Sequence, residues 1–268
     1  MTSALSEVLA ACHAANRAAL IGYLPVGFPT VAGSVDAMLA MVAGGVDAIE
    51  IGIPYSDPMM EGPTIQAAME AALRGGARPD DLFDAVRAVS ATGTPALVMT
   101  YWNLIERRGV ERFAEDLRAA GGSGAILPDV LPEEAGDWSA AAEARDLDSI
   151  FLVAPSSTDA RIASTVAACR GFVYATSLMG VTGTRAAISS SASVIVERVR
   201  AATQLPICVG LGVSNAAQAA EVARYADGVI VGSAFVRALL DAPDAAAGVD
   251  SIRRLTEDLA AGVRSGRS

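Results

Sequence analysis

Lysine is absent from the sequence, and histidine occurs once, as His13. All 20 basic residues are therefore arginine. Without lysine, the chain cannot hold a substrate or cofactor as a Schiff base. A single histidine argues against a histidine-based triad and against a multi-histidine metal site, so no metal ligands are predicted. Catalysis by this chain would have to use carboxylates, tyrosine or other hydroxyl groups, and backbone amides.

Cysteine is also sparse, since Cys12, Cys169 and Cys208 are odd in number and far apart. This usage is typical of reduced thiols in the core of a cytoplasmic protein. The net charge of −10 argues against a nucleic-acid partner, whose phosphates would be repelled. No apolar run reaches the length of a membrane span, and the N-terminal segment resembles an amphipathic first helix more than a signal peptide. We expect a cytoplasmic protein that binds neither nucleic acid nor membrane.

Short apolar runs alternate with amphipathic stretches along all 268 residues. Continuously apolar runs of this kind are typical of strands buried on both faces. Eight units of strand and helix in about 250 residues predict a (β/α)8 TIM barrel, with an open doubly wound sheet as the alternative. We expect one domain over residues 1–268, with an extra N-terminal helix and a short extra helix after strand eight. The predicted strands are Ala19–Leu24, Asp47–Ile51, Pro95–Thr100, Gly124–Leu127, Ser149–Val153, Gly171–Ala175, Pro206–Val209 and Asp227–Val231.

The end of the second strand carries the first candidate site residues. Side chains alternate along a strand, so Glu50 points into the barrel mouth if Ile49 and Ile51 face the helices. Burial would favour its neutral form, which suits a group that gives and takes a proton. The alternative has equal weight: Glu50 is a structural residue whose carboxylate is hydrogen-bonded by neighbouring amides or paired with an arginine. Asp57 and Glu61 follow in the loop after this strand. Taken alone, each is better interpreted as a solvated loop acid or as an acid at the start of a helix.

Glycine-rich turns follow strands six, seven and eight. The turns Gly210-Leu-Gly212 and Gly232-Ser-Ala234 come where barrels commonly bind phosphate, since glycine lets the backbone approach and helix-start amides offer N–H groups to an anion. Tight turns required by barrel closure are the alternative. Residues 177–185 after strand six, rich in glycine and hydroxyl groups, have the composition of a lid. Three tyrosines, Tyr23, Tyr101 and Tyr174, lie near the carboxyl ends of strands. They either form the wall of a pocket for a flat apolar group or fill the barrel mouth.

These strand-end segments together resemble the tryptophan synthase alpha family over nearly the whole chain. The resemblance rests on Ile49-Glu-Ile-Gly-Ile-Pro54 with Ser56-Asp-Pro58, on Gly62-Pro-Thr-Ile-Gln66, on Gly180-Val-Thr-Gly183, and on the two glycine-rich turns Gly210-Leu-Gly212 and Gly232-Ser-Ala234. It implies a barrel lyase that cleaves indole-3-glycerol phosphate into indole and D-glyceraldehyde 3-phosphate in tryptophan biosynthesis.

The resemblance also implies roles for individual residues. Glu50 matches the catalytic glutamate, and Glu61 stands where the family usually has the second catalytic acid, an aspartate one methylene shorter. Pyridoxal phosphate is expected only in a beta subunit, which would join this chain in an α2β2 heterotetramer. The remaining implied residues are Tyr23, Met99, Leu127, Leu152, Tyr174, Thr182 and Leu211 for the substrate, Gly183, Gly212, Gly232, Ser233 and Ala234 for its phosphate, and Asp57, Pro58, Asn103 and Met179 for the partner.

Two other hypotheses remain open from the sequence. The chain could be a stand-alone indole-3-glycerol phosphate lyase of another pathway. Alternatively, with Glu61 in place of aspartate, it could be a weakly catalytic partner that activates a beta subunit.

Overall fold

A computed structural model describes residues 3–176, 185–210 and 212–267, with the side chains of residues 185–191 left out of the description. Eight parallel strands close into a barrel in chain order. Strand β1 pairs with β2 on one side and with β8 on the other, which confirms the predicted barrel over the open sheet. The strands are β1 (Ala19–Pro25), β2 (Ala48–Gly52), β3 (Ala96–Met99), β4 (Gly124–Leu127), β5 (Asp148–Val153), β6 (Val173–Thr176), β7 (Ile207–Gly210) and β8 (Gly228–Val231).

Helices surround the barrel, and two predicted extra helices are present. Helix α1 precedes the first strand, and the short helix α11 follows the last one. No helix in the described part of the chain is long and apolar enough to cross a bilayer. The helices are α1 (Ala4–Ala14), α2 (Val31–Gly44), α3 (Pro63–Arg74), α4 (Asp81–Ser90), α5 (Trp102–Arg108), α6 (Val110–Ala119), α7 (Gly136–Glu143), α8 (Asp159–Ala168), α9 (Arg185–Arg200), α10 (Ala216–Ala223), α11 (Ser233–Leu240) and α12 (Ala245–Ser265).

The strands separate two apolar clusters. The outer cluster lies between the strands and the helices, and the inner cluster fills the barrel. Leu5, Leu9 and Cys12 of α1 pack onto inward-facing residues at the strand beginnings, such as Ala19 and Ala48. Helix α1 thereby closes the amino-terminal end of the barrel, which leaves the carboxyl ends of the strands as the open face.

Local sequence sets the element that follows β2. Pro63 occupies the first turn of α3, where its missing N–H costs no hydrogen bond, and Gly62 precedes it in extended conformation. Pro63 therefore begins the helix after the loop. Helix α3 buries Ile65, Ala68, Met69 and Ala72 against the core, which fixes the loop between β2 and α3 above the barrel mouth.

Candidate active site

A cavity of about 470 Å³ lies at the carboxyl ends of the strands. Eight of the residues predicted for the site line it, namely Tyr23, Glu50, Glu61, Met99, Tyr174, Gly212, Gly232 and Ser233. They come from strands and loops on opposite sides of the barrel, and barrel closure brings them together. Its other lining residues are Met60, Gly62, Pro63, Thr64, Ile65, Gly210, Ile230 and Arg237.

Glu50 is the middle residue of β2 and points inward, because Ile49 and Ile51 both lie in the outer cluster. Its side chain is 1% exposed, and Oε2 has no hydrogen-bond partner among the described residues. Burial raises the pKa of Glu50 to about 8, and the negative charge of Glu61 adds to the shift. At neutral pH the carboxyl group is therefore mostly protonated and able to donate a proton.

Glu61 lies in the loop between β2 and α3 and is held by Tyr101. The Tyr101 hydroxyl donates a hydrogen bond to Glu61 Oε2 at 2.6 Å and accepts the backbone N–H groups of Met59 and Met60 at 2.7 and 3.0 Å. Burial and this hydrogen bond raise the pKa of Tyr101 to about 12, so the hydroxyl keeps its proton. One buried hydroxyl group thus fixes three consecutive loop residues.

The additional methylene of Glu61 is accommodated by folding the side chain back over its own backbone. Besides the Tyr101 hydroxyl, Oε2 accepts the N–H of Met60 at 3.2 Å, and Gln66 Nε2 donates to the Glu61 carbonyl at 2.8 Å. The carboxylate nevertheless lines the same cavity as Glu50. The two acids predicted for the site therefore line one cavity, and contact of Glu61 with a substrate stays a prediction.

Tyr23 and Tyr174 form part of the cavity wall. Their rings fit because glycines end the adjacent strands: a Cβ on Gly52 would collide with the Tyr23 hydroxyl, and one on Gly210 would lie 2.5 Å from the Tyr174 hydroxyl oxygen. The Tyr23 hydroxyl has no hydrogen-bond partner among the described residues. Buried polar atoms are normally hydrogen-bonded. Two such atoms in one cavity, Tyr23 Oη and Glu50 Oε2, indicate a binding site for a ligand with polar groups.

A second part of the rim is built from the turns after β7 and β8, and strand β1 separates it from β2. Gly212 adopts a φ of 65°, which an L side chain disfavours. Helix α11 begins at Ser233, directly after Gly232, and the first N–H groups of a helix lack acceptors within it. Ala234 lies in an adjoining depression with Gly212 and Ser233. This rim has the geometry of an anion site at a helix start.

One predicted lining residue is not among those that line the cavity. Leu127 is buried and belongs to the outer cluster, so its contact with a substrate stays a prediction. Ile126 faces inward instead. All of β4 is apolar, so hydrophobicity alone does not reveal which residues face inward. Leu152 packs against the inner cluster, consistent with its predicted side of the strand. Met179, Thr182, Gly183 and Leu211 lie outside the described residues.

Three of the four predicted partner residues are described, and they lie on the rim beside the cavity. Asp57 and Asn103 are exposed and Pro58 is half-buried. The Asp57 carboxylate accepts the Ser56 hydroxyl at 2.6 Å, and Asn103 Nδ2 donates to the Tyr55 hydroxyl at 3.1 Å. Met59, between Pro58 and the cavity-lining Met60, is 71% exposed. This part of the rim presents both apolar and polar groups to solvent.

Sequence reasoning misses several lining residues. Ile230 is one of them, although alternation along β8 would have identified it as inward-facing. Arg237 follows Ser233 by four residues, one helical turn, and that spacing would have placed it on the same face of α11. Met60 and Thr64 lie in and after an irregular loop, where no sequence periodicity applies.

Comparisons with known proteins find relatives over nearly the whole chain. The family model described as tryptophan synthase alpha chain matches residues 9–264. The tryptophan synthase alpha chain of Thermobifida fusca is 59% identical over 264 residues, which cover 97% of this chain and 98% of that relative. The one of Streptomyces coelicolor is 58% identical over 261 residues, covering 97% and 96%.

Solved structures give the same result. A structure of Mycobacterium tuberculosis tryptophan synthase matches with a TM-score of 0.92 and 57% identity, covering 98% of this chain and 99% of that one. A tryptophan synthase complex from Pyrococcus furiosus matches with a TM-score of 0.82 and 29% identity, covering 91% and 98%. The chain belongs to the tryptophan synthase alpha chain family.

Proposed function

We propose that Glu50, Glu61 and the glycine-lined rim carry out the reaction of this family. That reaction is a carbon–carbon lyase step of tryptophan biosynthesis, the cleavage of indole-3-glycerol phosphate to indole and D-glyceraldehyde 3-phosphate. The observation that supports these roles best is the buried Glu50 carboxyl, with a free Oε2 and a pKa near 8, facing the same cavity as a second carboxylate.

Glu50 acts as a proton shuttle in this proposal. The neutral carboxyl first donates its proton to C3 of the indole ring, which makes the ring an iminium. The resulting carboxylate then removes the proton of the glycerol hydroxyl next to the bond that breaks. The electrons of that carbon–carbon bond flow into the iminium, so indole leaves and the hydroxyl carbon becomes an aldehyde. No lysine is needed as an electron sink, in agreement with its absence.

Glu61 stabilises the positive charge that develops on the ring nitrogen. Its carboxylate accepts a hydrogen bond from the indole N–H, which strengthens as the ring becomes an iminium. Tyr101 supports this role because it fixes the Glu61 side chain before substrate arrives. Tyr23, Met99 and Tyr174 provide the apolar wall for the indole ring, and Leu152, Leu211 and Thr182 belong to the same proposed pocket.

The phosphate group binds at the turns after β7 and β8. Gly212, Gly232, Ser233 and Ala234 would donate backbone N–H groups to it, together with Gly183. Strand β1 separates these turns from Glu50 on β2, so the substrate is oriented with its phosphate on one side of β1 and its indole ring on the other. The reacting bond is thereby placed over Glu50.

A beta subunit is the proposed partner, in an α2β2 assembly in which that subunit binds pyridoxal phosphate. Asp57, Pro58, Asn103 and Met179 are the proposed contact residues, and the exposed Met59 lies among them. This chain has no lysine to bind pyridoxal phosphate covalently, so that chemistry belongs to the partner. A cytoplasmic location fits the proposed pathway.

Indole formation from indole-3-glycerol phosphate, measured with and without a beta subunit, tests the proposal. Cleavage that the beta subunit strongly accelerates is the expected result. Rapid indole release by the isolated chain would favour a stand-alone lyase instead. No cleavage even with saturating beta subunit, while the beta reaction accelerates, would show that the chain is a non-catalytic activator.

A further inference from the structure

Arg237 is the one cationic side chain among the described residues that line the cavity, which also contains the carboxylates of Glu50 and Glu61. The proposed substrate brings a phosphate dianion into this acidic cavity. We propose that the Arg237 guanidinium binds that phosphate and makes the enzyme prefer phosphorylated substrates over their uncharged analogues. This inference rests on the proposed function, because it assigns a further residue to the phosphate end of the same site.

The position of Arg237 on α11 places its side chain at the rim. Side chains in a helix lean toward its amino terminus, and Arg237 is one turn after Ser233, where the helix begins. Arg237 Nη2 donates a hydrogen bond to Thr64 Oγ1 at 3.3 Å, so the guanidinium reaches across to the start of α3. The cation therefore lies between the anion-binding turn and the loop that carries Glu61.

The charge of Arg237 is available for a ligand. No described carboxylate forms an ion pair with it, although Asp241 lines the same adjoining depression one turn later. Arg74, on α3, is different: it pairs with Glu70 at 3.2 Å on the same helix. The single long hydrogen bond to the Thr64 hydroxyl does not neutralise Arg237, and a phosphate at the rim would provide the missing anionic partner.

Backbone amides and a guanidinium group recognise different properties of a ligand. The amides of the glycine turns bind any oxyanion of suitable size and supply only partial positive charge. A guanidinium adds a full positive charge and paired N–H donors that match phosphate oxygens. Arg237 should therefore contribute mainly to discrimination between a phosphate dianion and a neutral hydroxyl group, and only weakly to the proton transfers at Glu50.

Calorimetric titration with glycerol 3-phosphate and with inorganic phosphate tests the inference without any catalytic turnover. Arg237→Gln should weaken binding on the order of tenfold, the factor that one hydrogen bond to a charged group contributes. Arg237→Lys should recover part of the loss, and the loss should shrink at high salt. Arg74→Gln, which removes the same charge from an exposed position on α3, is the matched control and should bind like wild type.

Thr64→Val separates phosphate binding from a purely structural role. This variant removes the hydrogen-bond acceptor of Arg237 and keeps the cation. If Arg237 only anchored α3, Thr64→Val would weaken phosphate binding as much as Arg237→Gln does, and the inference would be overturned. A clearly smaller loss supports it. In the cleavage assay, Arg237→Gln should raise KM and leave kcat nearly unchanged.

The failure of this inference can be told apart from that of the proposed function. Wild-type protein that binds glycerol 3-phosphate, together with an Arg237→Gln variant that binds it equally well, overturns the role of Arg237 alone. Wild-type protein that binds neither phosphate probe overturns the phosphate rim and the role of Arg237 together.

Discussion

At the scale of single residues, Glu50 allows a nearly isosteric test. Glu50→Gln keeps the shape of the side chain but can neither donate a proton to the indole ring nor accept one from the hydroxyl. We expect cleavage to fall by roughly 10³-fold or more, since general acid and base catalysis each contribute about 10²–10⁴. Binding of glycerol 3-phosphate should remain nearly intact, and an indole assay that shows wild-type turnover would refute the role of Glu50.

The pH dependence of cleavage follows from the same carboxyl group. The first step needs protonated Glu50, whose pKa is raised to about 8 by burial and by Glu61. Activity should therefore be retained below pH 8 and lost as the pH rises through that value, and kcat/KM should report the pKa of the free enzyme. An ordinary carboxyl pKa near 4 would instead make kcat/KM fall between pH 4 and 6. A profile of that kind would contradict the proposed neutral acid.

Tyr101→Phe tests how Glu61 is held. The variant keeps the ring that stacks on Tyr55 at 4.7 Å but removes the hydroxyl that bonds Glu61, Met59 and Met60. We expect cleavage to fall about 10- to 100-fold, because small displacements of a catalytic group can cost about 100-fold. Tyr55→Phe removes a neighbouring hydroxyl that accepts only from Asn103 among the described contacts, so it serves as the control. Equal effects of the two variants would argue against a specific role for Tyr101.

Residue-level expectations depend on whether the sequence fixes the direction of a side chain. In β2 the direction of Glu50 is predictable because isoleucines flank it on both sides and a lone acid favours the open end of the barrel. In β4 every residue from Gly124 to Leu127 is compatible with either face, so the sequence does not reveal that Ile126 belongs to the inner cluster and Leu127 to the outer one. The Tyr101–Glu61 contact joins residues 40 positions apart through an irregular loop, so no local pattern predicts it.

At the scale of elements, glycines at strand ends make room for the tyrosine walls. A Cβ on Gly210 would lie 2.5 Å from the Tyr174 hydroxyl oxygen, so Gly210→Ala must displace that ring. We expect weaker substrate binding and a loss of about 1–3 kcal/mol in the free energy of unfolding, the usual cost of overpacking. Substrate titration and thermal unfolding measure the two effects.

Gly136→Ala is the control for this prediction. A Cβ at Gly136 meets nothing within 4 Å, and the residue starts helix α7, where alanine is favoured over glycine. The control should bind substrate like wild type and be at least as stable. If Gly210→Ala behaved in the same way, the tyrosine ring would not depend on the glycine.

Elements are the scale at which the sequence is most informative. The predicted strands begin and end within two residues of the observed ones, because continuous apolar runs bounded by glycine, proline or charge mark strands buried on both faces. The loops carry no such periodicity. The sequence therefore places Glu61 in the loop after β2 but does not reveal that its side chain folds back to Met60.

At the scale of the whole molecule, barrel closure explains why residues distant in sequence form one site. Strand β1 pairs with both β2 and β8, so Glu50 and Gly232 approach across β1 although much of the chain separates them. Helix α1 closes the other end and restricts ligands to the carboxyl face. The acids and the anion-binding rim therefore share one mouth, and a partner that covers this mouth would act on the reaction.

The exposed apolar residue on this rim permits a test of partner docking. Met59 is 71% exposed, next to the loop that Tyr101 holds, and a charge introduced there would be buried unpaired in an interface. Met59→Glu should weaken beta-subunit binding at least tenfold and reduce the acceleration of cleavage, while cleavage by the isolated chain changes little. Val194→Glu adds the same charge at a position on α9 that is 54% exposed, and it should bind the beta subunit like wild type. Titration of each variant with the beta subunit measures the affinity. Because both variants carry the same additional negative charge, a loss of affinity confined to Met59→Glu would locate the contact at the barrel mouth. Equal affinities of the two variants would exclude Met59 from the interface.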